Sequence, residues 1–277
     1  MKAARRAVFL VFFGSAVLSM ACGRSRPTGS LSVRPATVNL AYPFVAPLTL
    51  RWIPSAGLDG LQGKPRVFVH VLDGARRLLR TFDHPLPEAW TPDREQTYEI
   101  ELYQSAIGER LPAGAYEMTF GLYDDAGKMR WPLAVEGEEV GRREYRLATL
   151  VVPAAAPSAP AYQFTGGWLP VEPGSSKQIV ARRCLRTPGS ISVLSPPSPG
   201  KVKLAASLMT RGSAAASGAW KVAASCTSKT VDVRGTELQW VELPMVPGEP
   251  CQIGFTPSPS SAPSLCLEVL AWRPDTP

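Results

Sequence analysis

Residues 67–72 read VFVHVL, and this hexapeptide decides the fold. Val67, Val69 and Val71 alternate with Phe68, His70 and Leu72, a period of two where a helix would need 3.6. The same period recurs outward along the chain: Tyr98, Ile100 and Leu102 alternate with Glu99 and Glu101, then Tyr116, Met118, Phe120 and Leu122 repeat it, then Tyr145 and Leu147. Turn signals separate these runs at Asp73-Gly74, Pro112-Ala113-Gly114 and Asp124-Asp125-Ala126-Gly127. Nothing of helical period and useful length competes, so residues 30–153 are expected to form an antiparallel β-sandwich.

The β pattern continues in GSISVL, KVKLAASLM, AWKVAAS, LQWVELPM, CQIGFT and LCLEVLAW, with Ser, Pro and Gly between them. This predicts a second sandwich over 162–277. The stretch VVPAAAPSAPAY, residues 151–162, cannot bury a core, and its prolines stiffen it, so residues 154–161 are read as a linker. The expected class is all-β: two antiparallel sandwiches in tandem.

The amino-terminal end reads differently. Lys2, Arg5 and Arg6 precede an apolar run from Ala7 to Leu18, too short to span a bilayer, in the order of a secretory signal. Residues 1–21 are therefore expected to be a signal peptide, with 22–29 as a tether. LSMAC, residues 18–22, resembles the lipobox of bacterial lipoproteins, although Ser19 stands where that family prefers Leu and Leu18 lies one place further back. The resemblance implies lipid attachment at Cys22. Gly23, in place of Asp, implies the outer membrane.

Cysteine parity agrees, because five cysteines less Cys22 leave Cys184, Cys226, Cys251 and Cys266, an even set for an oxidising compartment. Two disulfides are expected, and the residues alone leave three pairings open. The four thiols show no CxxC spacing, so no zinc site, other metal or cofactor is expected. Loss of Lys2, Arg5 and Arg6 would bring the formal charge from +7 to +4. With no aromatic-interleaved basic run, and with export, nucleic acid is excluded as a partner.

VFVHVLDGARRLLRTFDHPLP and LPAGAYEMTFGLYDDAGKMRWPL resemble immunoglobulin-like sandwiches of bacterial envelope proteins, and PAGAY is similar to their Pro-x-Gly-x-Tyr turn, in which a tyrosine ties a corner to the core. FTGGWLPVE, TELQWVELPM and LCLEVLAW resemble a jelly roll of the galactose-binding or carbohydrate-binding-module type. Should the last strand of that jelly roll lie beside the first, the resemblance would pair Cys184 with Cys266 and leave Cys226 for Cys251.

Chemistry is sparse. The chain has two histidines, His70 and His84, in no recognised motif, and His70 reads as a packed or surface histidine on a sheet. Asp73, Asp83, Glu99, Glu101, Glu117, Asp124 and Asp125 are candidate carboxylates by composition only, Glu99, Glu101 and Glu117 fall on polar strand faces, and no G-x-S-x-G, HExxH, phosphate loop or EF-hand occurs. No catalytic residue is assigned and no enzyme is expected. The alternative, a hydrolase of envelope polysaccharide, requires a cleft at the domain junction lined by carboxylates or by His70.

Trp168, after Gly166-Gly167 in an expected loop, is the candidate ligand-binding residue, with Arg182, Arg183 and Arg186 as possible contacts for an anionic glycan. Trp240 and Trp272 read as core. The expected function is that of a non-catalytic cell-envelope lipoprotein, membrane-bound through its lipid. It would bind surface glycan or scaffold an envelope protein complex.

Overall fold

The computed structural model describes residues 26–154, 159–194, 196, 198–209 and 218–275. Cys22, the signal segment and residues 155–158 of the linker lie outside the described residues. The chain is all-β, and no helix occurs among the described residues. No helix there is long and apolar enough to cross a membrane.

The first half contributes β1 (Gly29–Arg34), β2 (Thr37–Asn39), β3 (Val45–Pro54), β4 (Pro65–Leu72), β5 (Leu78–Thr81), β6 (His84–Pro85), β7 (Gln96–Tyr103), β8 (Gly114–Asp124), β9 (Leu133–Ala134), β10 (Glu138–Gly141) and β11 (Glu144–Val152). They form two layers, β7-β3-β1-β9 and β10-β11-β8-β4-β5, with β2 beside β11 and β6 beside β4. Pairing is antiparallel except for the short β1–β9 and β2–β11 contacts. The period-two reading fixes which side faces in. Val67, Val69 and Val71 meet Trp52, Leu48, Met118, Phe120 and Leu150 in the core, while Phe68 and His70 point to the outer face of the second layer. Gly29, expected in the tether, opens β1, and Thr28 already hydrogen-bonds the Pro132 carbonyl through its amide. The Tyr116 hydroxyl donates to the Pro112 carbonyl four residues upstream at 2.7 Å, closing the PAGAY corner.

The second half contributes β12 (Ala161–Trp168), β13 (Glu172–Pro173), β14 (Ala181–Leu194), β15 (Gly200–Met209), β16 (Ala219–Ala224), β17 (Thr230–Arg234), β18 (Gln239–Met245), β19 (Cys251–Ser258) and β20 (Ser264–Pro274). They make one sheet in the order β17-β16-β19-β14-β20-β15-β18, with β12 and β13 on β14. The long β14 changes partner along its length, pairing β20 over Arg183–Leu185 and β19 over Gly189–Val193. The sheet thereby closes over its own core of Trp220, Val222, Phe255, Leu204, Leu267 and Trp272. Cys184 stands opposite Cys266 on β14 and β20 and is bonded to it, and Cys226 is bonded to Cys251. Two disulfides suit an oxidising, exported environment.

The halves are docked against each other. Ala205, Val269 and Ala271 of the second sheet join the core of the first sandwich, and Ile107 joins the core of the second. Backbone bonds cross the junction, from the Ala106 amide to the Leu270 carbonyl at 2.6 Å and from the Trp272 amide to the Pro43 carbonyl at 2.7 Å. Glu101 of β7 is held there by Lys203 and by Arg273, the latter at 2.8 Å.

Candidate binding pocket on the outer face of the first sandwich

The largest cavity described lies on the outer face of the β10-β11-β8-β4-β5 layer and has a volume of about 580 Å³. Phe68, His70, Asp83 and Tyr123 line it, and Lys128, Met129, Arg130, Arg142 and Arg143 border it. Its floor follows from two features of the strands. On β4 the outward positions carry rings, so Phe68 and His70 stack with centroids 4.6 Å apart. On β8 the facing position is Gly121. A Cβ there would come within 2.3 Å of the Phe68 ring and 2.9 Å of the Arg143 carbonyl, so only glycine lets that ring lie flat across the sheet.

The polar groups of the floor are engaged with one another. His70 Nδ1 faces Glu144 Oε1 at 3.1 Å, and its Nε2 lies 3.9 Å from Asp83 Oδ1. Glu144 also accepts from the Thr119 hydroxyl at 2.5 Å and from Arg130 at 3.0 Å. Burial alone would push the Glu144 carboxyl up. The hydrogen bonds from His70, Thr119 and Arg130, together with the imidazole charge, outweigh it and hold the group at about 2. For Asp83 burial prevails and raises the carboxyl above its ordinary value, against the pull of His70. The guanidinium of Arg130 lies 4.4 Å from the Phe68 centroid, a cation–π contact that fixes it over the floor.

The rim is set by two turns. β10 and β11 are joined by Arg142 and Arg143 alone, with φ of 50° and 58°, the hairpin form in which both central residues are left-handed. After β8, the Lys128 amide donates to the Asp124 carbonyl at 3.2 Å and the buried Asp124 carboxylate accepts from the Gly127 amide. This turn presents Lys128 at φ 55°. Its ammonium sits 5.5 Å from the Tyr123 ring centroid.

The residues singled out by the sequence are placed elsewhere. Trp168 is half-buried in β12, edge-on to Phe164 and Phe255, and its indole N–H donates to the Ser190 carbonyl at 3.0 Å. The expected loop is a strand because Gly166 and Gly167 let β12 approach β14 closely: a Cβ on Gly167 would meet the Thr187 hydroxyl at 2.0 Å. Arg182 pairs with Glu172, and Arg183 donates to the Leu169 carbonyl while lying over Phe164. Trp272 is fully buried as read, but Trp240 is 43% exposed, because β18 is an edge strand whose outer face only partly meets the first sandwich.

A smaller junction cavity of about 250 Å³ lies beside Trp240. Glu101 is the one carboxylate among the described residues lining it, and both Lys203 and Arg273 hold that carboxylate. His70 lines the other cavity, so of the groups expected in a junction hydrolase this cavity holds one carboxylate and not His70. His84 is fixed by its neighbours, Nδ1 on the Phe82 carbonyl and Nε2 on the Tyr98 hydroxyl, both at 2.9 Å. The one cluster of metal-ligand type among the described residues, Glu172 with Cys184 and Cys266, contains sulfurs already bonded to each other.

No protein-family model matches the sequence, and no curated protein matches it. Solved structures align only distantly. The secreted serine protease VesC from Vibrio cholerae is 10% identical with a TM-score of 0.29, over 88% of this chain, which spans about half (51%) of that protein. The tandem CBM22 domains of Paenibacillus barcinonensis Xyn10C are 10% identical with a TM-score of 0.31, covering 89% of this chain and 93% of theirs. TmCBM61, solved with β-1,4-galactotriose, is 12% identical with a TM-score of 0.28, over 40% of this chain and 86% of its own. Likenesses of this size assign neither a family nor a ligand.

Proposed function

We propose that the protein is a non-catalytic glycan-binding module of the bacterial cell envelope, anchored by lipid at Cys22, with the pocket over Phe68 and Tyr123 as its site. One observation carries the reading. The cavity sets the partly exposed ring of Tyr123 beside cationic hydrogen-bond donors at its rim, the pairing that suits a sugar's apolar face and its hydroxyls, while Phe68 lies buried under Arg130 as support. His70 Nδ1 and both oxygens of Glu144 are taken up in contacts with each other, Thr119 and Arg130, which supports a binding role over a catalytic one. A scaffolding role finds support in exposed Trp240 on the edge strand β18. It lacks a pocket of comparable size.

The test is affinity electrophoresis of the exported chain, disulfides intact, through gels containing envelope polysaccharide fractions. Tyr123→Ala is expected to weaken retardation roughly fivefold to tenfold through loss of ring contact. Trp168→Ala, checked for folding by circular dichroism, is expected to leave it unchanged. Retardation in no fraction, or retardation that depends on Trp168 and not on Tyr123, would contradict the reading.

A further inference from the structure

We infer that the sugar taken by this pocket is acidic, its anionic substituent held between Arg142 and Lys128. The inference rests on the glycan reading above and names the substrate class of the same site.

Charge matching inside the pocket is the starting point. Asp83 is the one carboxylate among the described residues that line it, with His70 Nε2 3.9 Å away, and the adjoining Glu144 is paired with Arg130. The rim then carries a surplus. Among the described residues the Lys128 ammonium bonds the Asp125 carbonyl and lies over Tyr123, and neither it nor Arg142 makes an ion pair. Two cations without a counter-charge, bordering one concave site with ring-lined walls, favour a ligand that brings its own negative charge.

The backbone points the same way. Arg142, Arg143 and Lys128 are three of the five non-glycine residues at positive φ among those described, and all three border this cavity. The left-handed conformation is unfavourable for an ordinary side chain, and Asn-Gly is the usual filling of a two-residue hairpin turn. Arginine at both positions gives up that preference. In return it places long cationic side chains on the rim, that of Arg143 donating to the Arg130 carbonyl.

The acid can be a uronate carboxylate or a phosphate or sulfate ester, which share an anionic group on a pyranose ring. Titration calorimetry on the exported chain separates the cases. Probes are matched neutral and C6-carboxylate trisaccharides in the gluco, galacto and manno series, the 6-phosphate and 6-sulfate of the same sugars, and inorganic phosphate. The expected result is at least tenfold tighter binding of one or more acidic members over the neutral partner. Arg142→Ala and Lys128→Ala should each weaken it about fivefold to tenfold, while Arg34→Ala with Lys221→Ala, exposed and remote from the pocket, should not.

Equal affinity for neutral and acidic partners, sensitive to Tyr123→Ala but not to Arg142→Ala, would overturn the inference and leave the glycan reading standing. Inorganic phosphate binding as tightly as any sugar would overturn the glycan reading instead. Loss in the remote double variant equal to that in the pocket variants would reduce the effect to general surface charge and overturn the inference. Binding of no probe would overturn both.

Discussion

Replacing Cys184 and Cys266 by Ala is expected to lower the unfolding free energy of the second half by about 3–5 kcal/mol. Replacing Cys226 and Cys251 should cost about 2–4 kcal/mol. The ranking comes from the chain each bond closes. Cys184 and Cys266 are 82 residues apart and Cys226 and Cys251 are 25 apart. Loop-closure entropy gives about 4.5 and about 3.5 kcal/mol for loops of those lengths. The Cys184–Cys266 bond also fastens β14 to β20 just where β14 leaves one partner for another, and both cysteines are buried in that sheet. Urea denaturation of the two double variants, each compared with the parent, checks the order. A loss under about 1 kcal/mol for the Cys184/Cys266 pair would show that the folded sheet does not depend on this fastening.

Glu144→Ala should cost about 2 kcal/mol at pH 7, and that cost should vanish in acid. The carboxyl stands at about 2 in the folded chain against 4.5 for the free side chain, with 17% of the side chain exposed. At full value such a depression is worth about 3 kcal/mol, and partial screening by solvent brings it to about 2. A carboxylate whose folded pKa is depressed stabilises the protein fully above its unfolded value, and the contribution fades as the pH falls toward the folded one. The stability difference between parent and variant should therefore be constant above about pH 5 and shrink steadily toward pH 2. Asp83, pushed up by burial, works in the opposite sense, but it is common to both proteins and largely cancels in the difference. Denaturation curves at pH 7, 4 and 3 make the comparison. A difference that does not change with pH would mean that His70, Thr119 and Arg130 do not hold Glu144 in its charged form.

Much of the scaffold was legible in the sequence because the pleat forces a period of two. VFVHVL, YEIEL and YEMTFGL each lie in the strand their alternation indicates, and their inward sides fill one core. The docking of the two halves was not legible. Ala205, Val269 and Ala271 sit on the opposite side of their strands from the large core residues, and small side chains there look like ordinary surface until another sheet covers them. Trp240 misled for the related reason that alternation gives the face of a strand but not its place in the sheet, and β18 lies at the edge.

The pocket escaped sequence reading because its members are far apart in the chain. His70 and Glu144 are 74 residues apart, and Thr119 and Arg130 come from the strand and the turn between them. The local signal that could have found it is Gly141-Arg142-Arg143-Glu144. A two-residue connection between strands calls for residues tolerant of positive φ, and arginine at both places is a departure from the usual Asn-Gly. Trp168 drew attention through its neighbours, yet Gly166 and Gly167 serve the close approach of two strands.

Sugar is expected to bind the outer face of the first sandwich. Hydrogen exchange of the exported chain, measured with and without the glucuronate, galacturonate and mannuronate trisaccharides in turn, tests it most directly. The account predicts slowed exchange confined to residues 117–130 and 138–146, the segments that carry Tyr123, Lys128, Arg130, Arg142 and Glu144. Protection confined to 161–168 and 187–192, around Trp168, or to the junction beside Trp240, would contradict it.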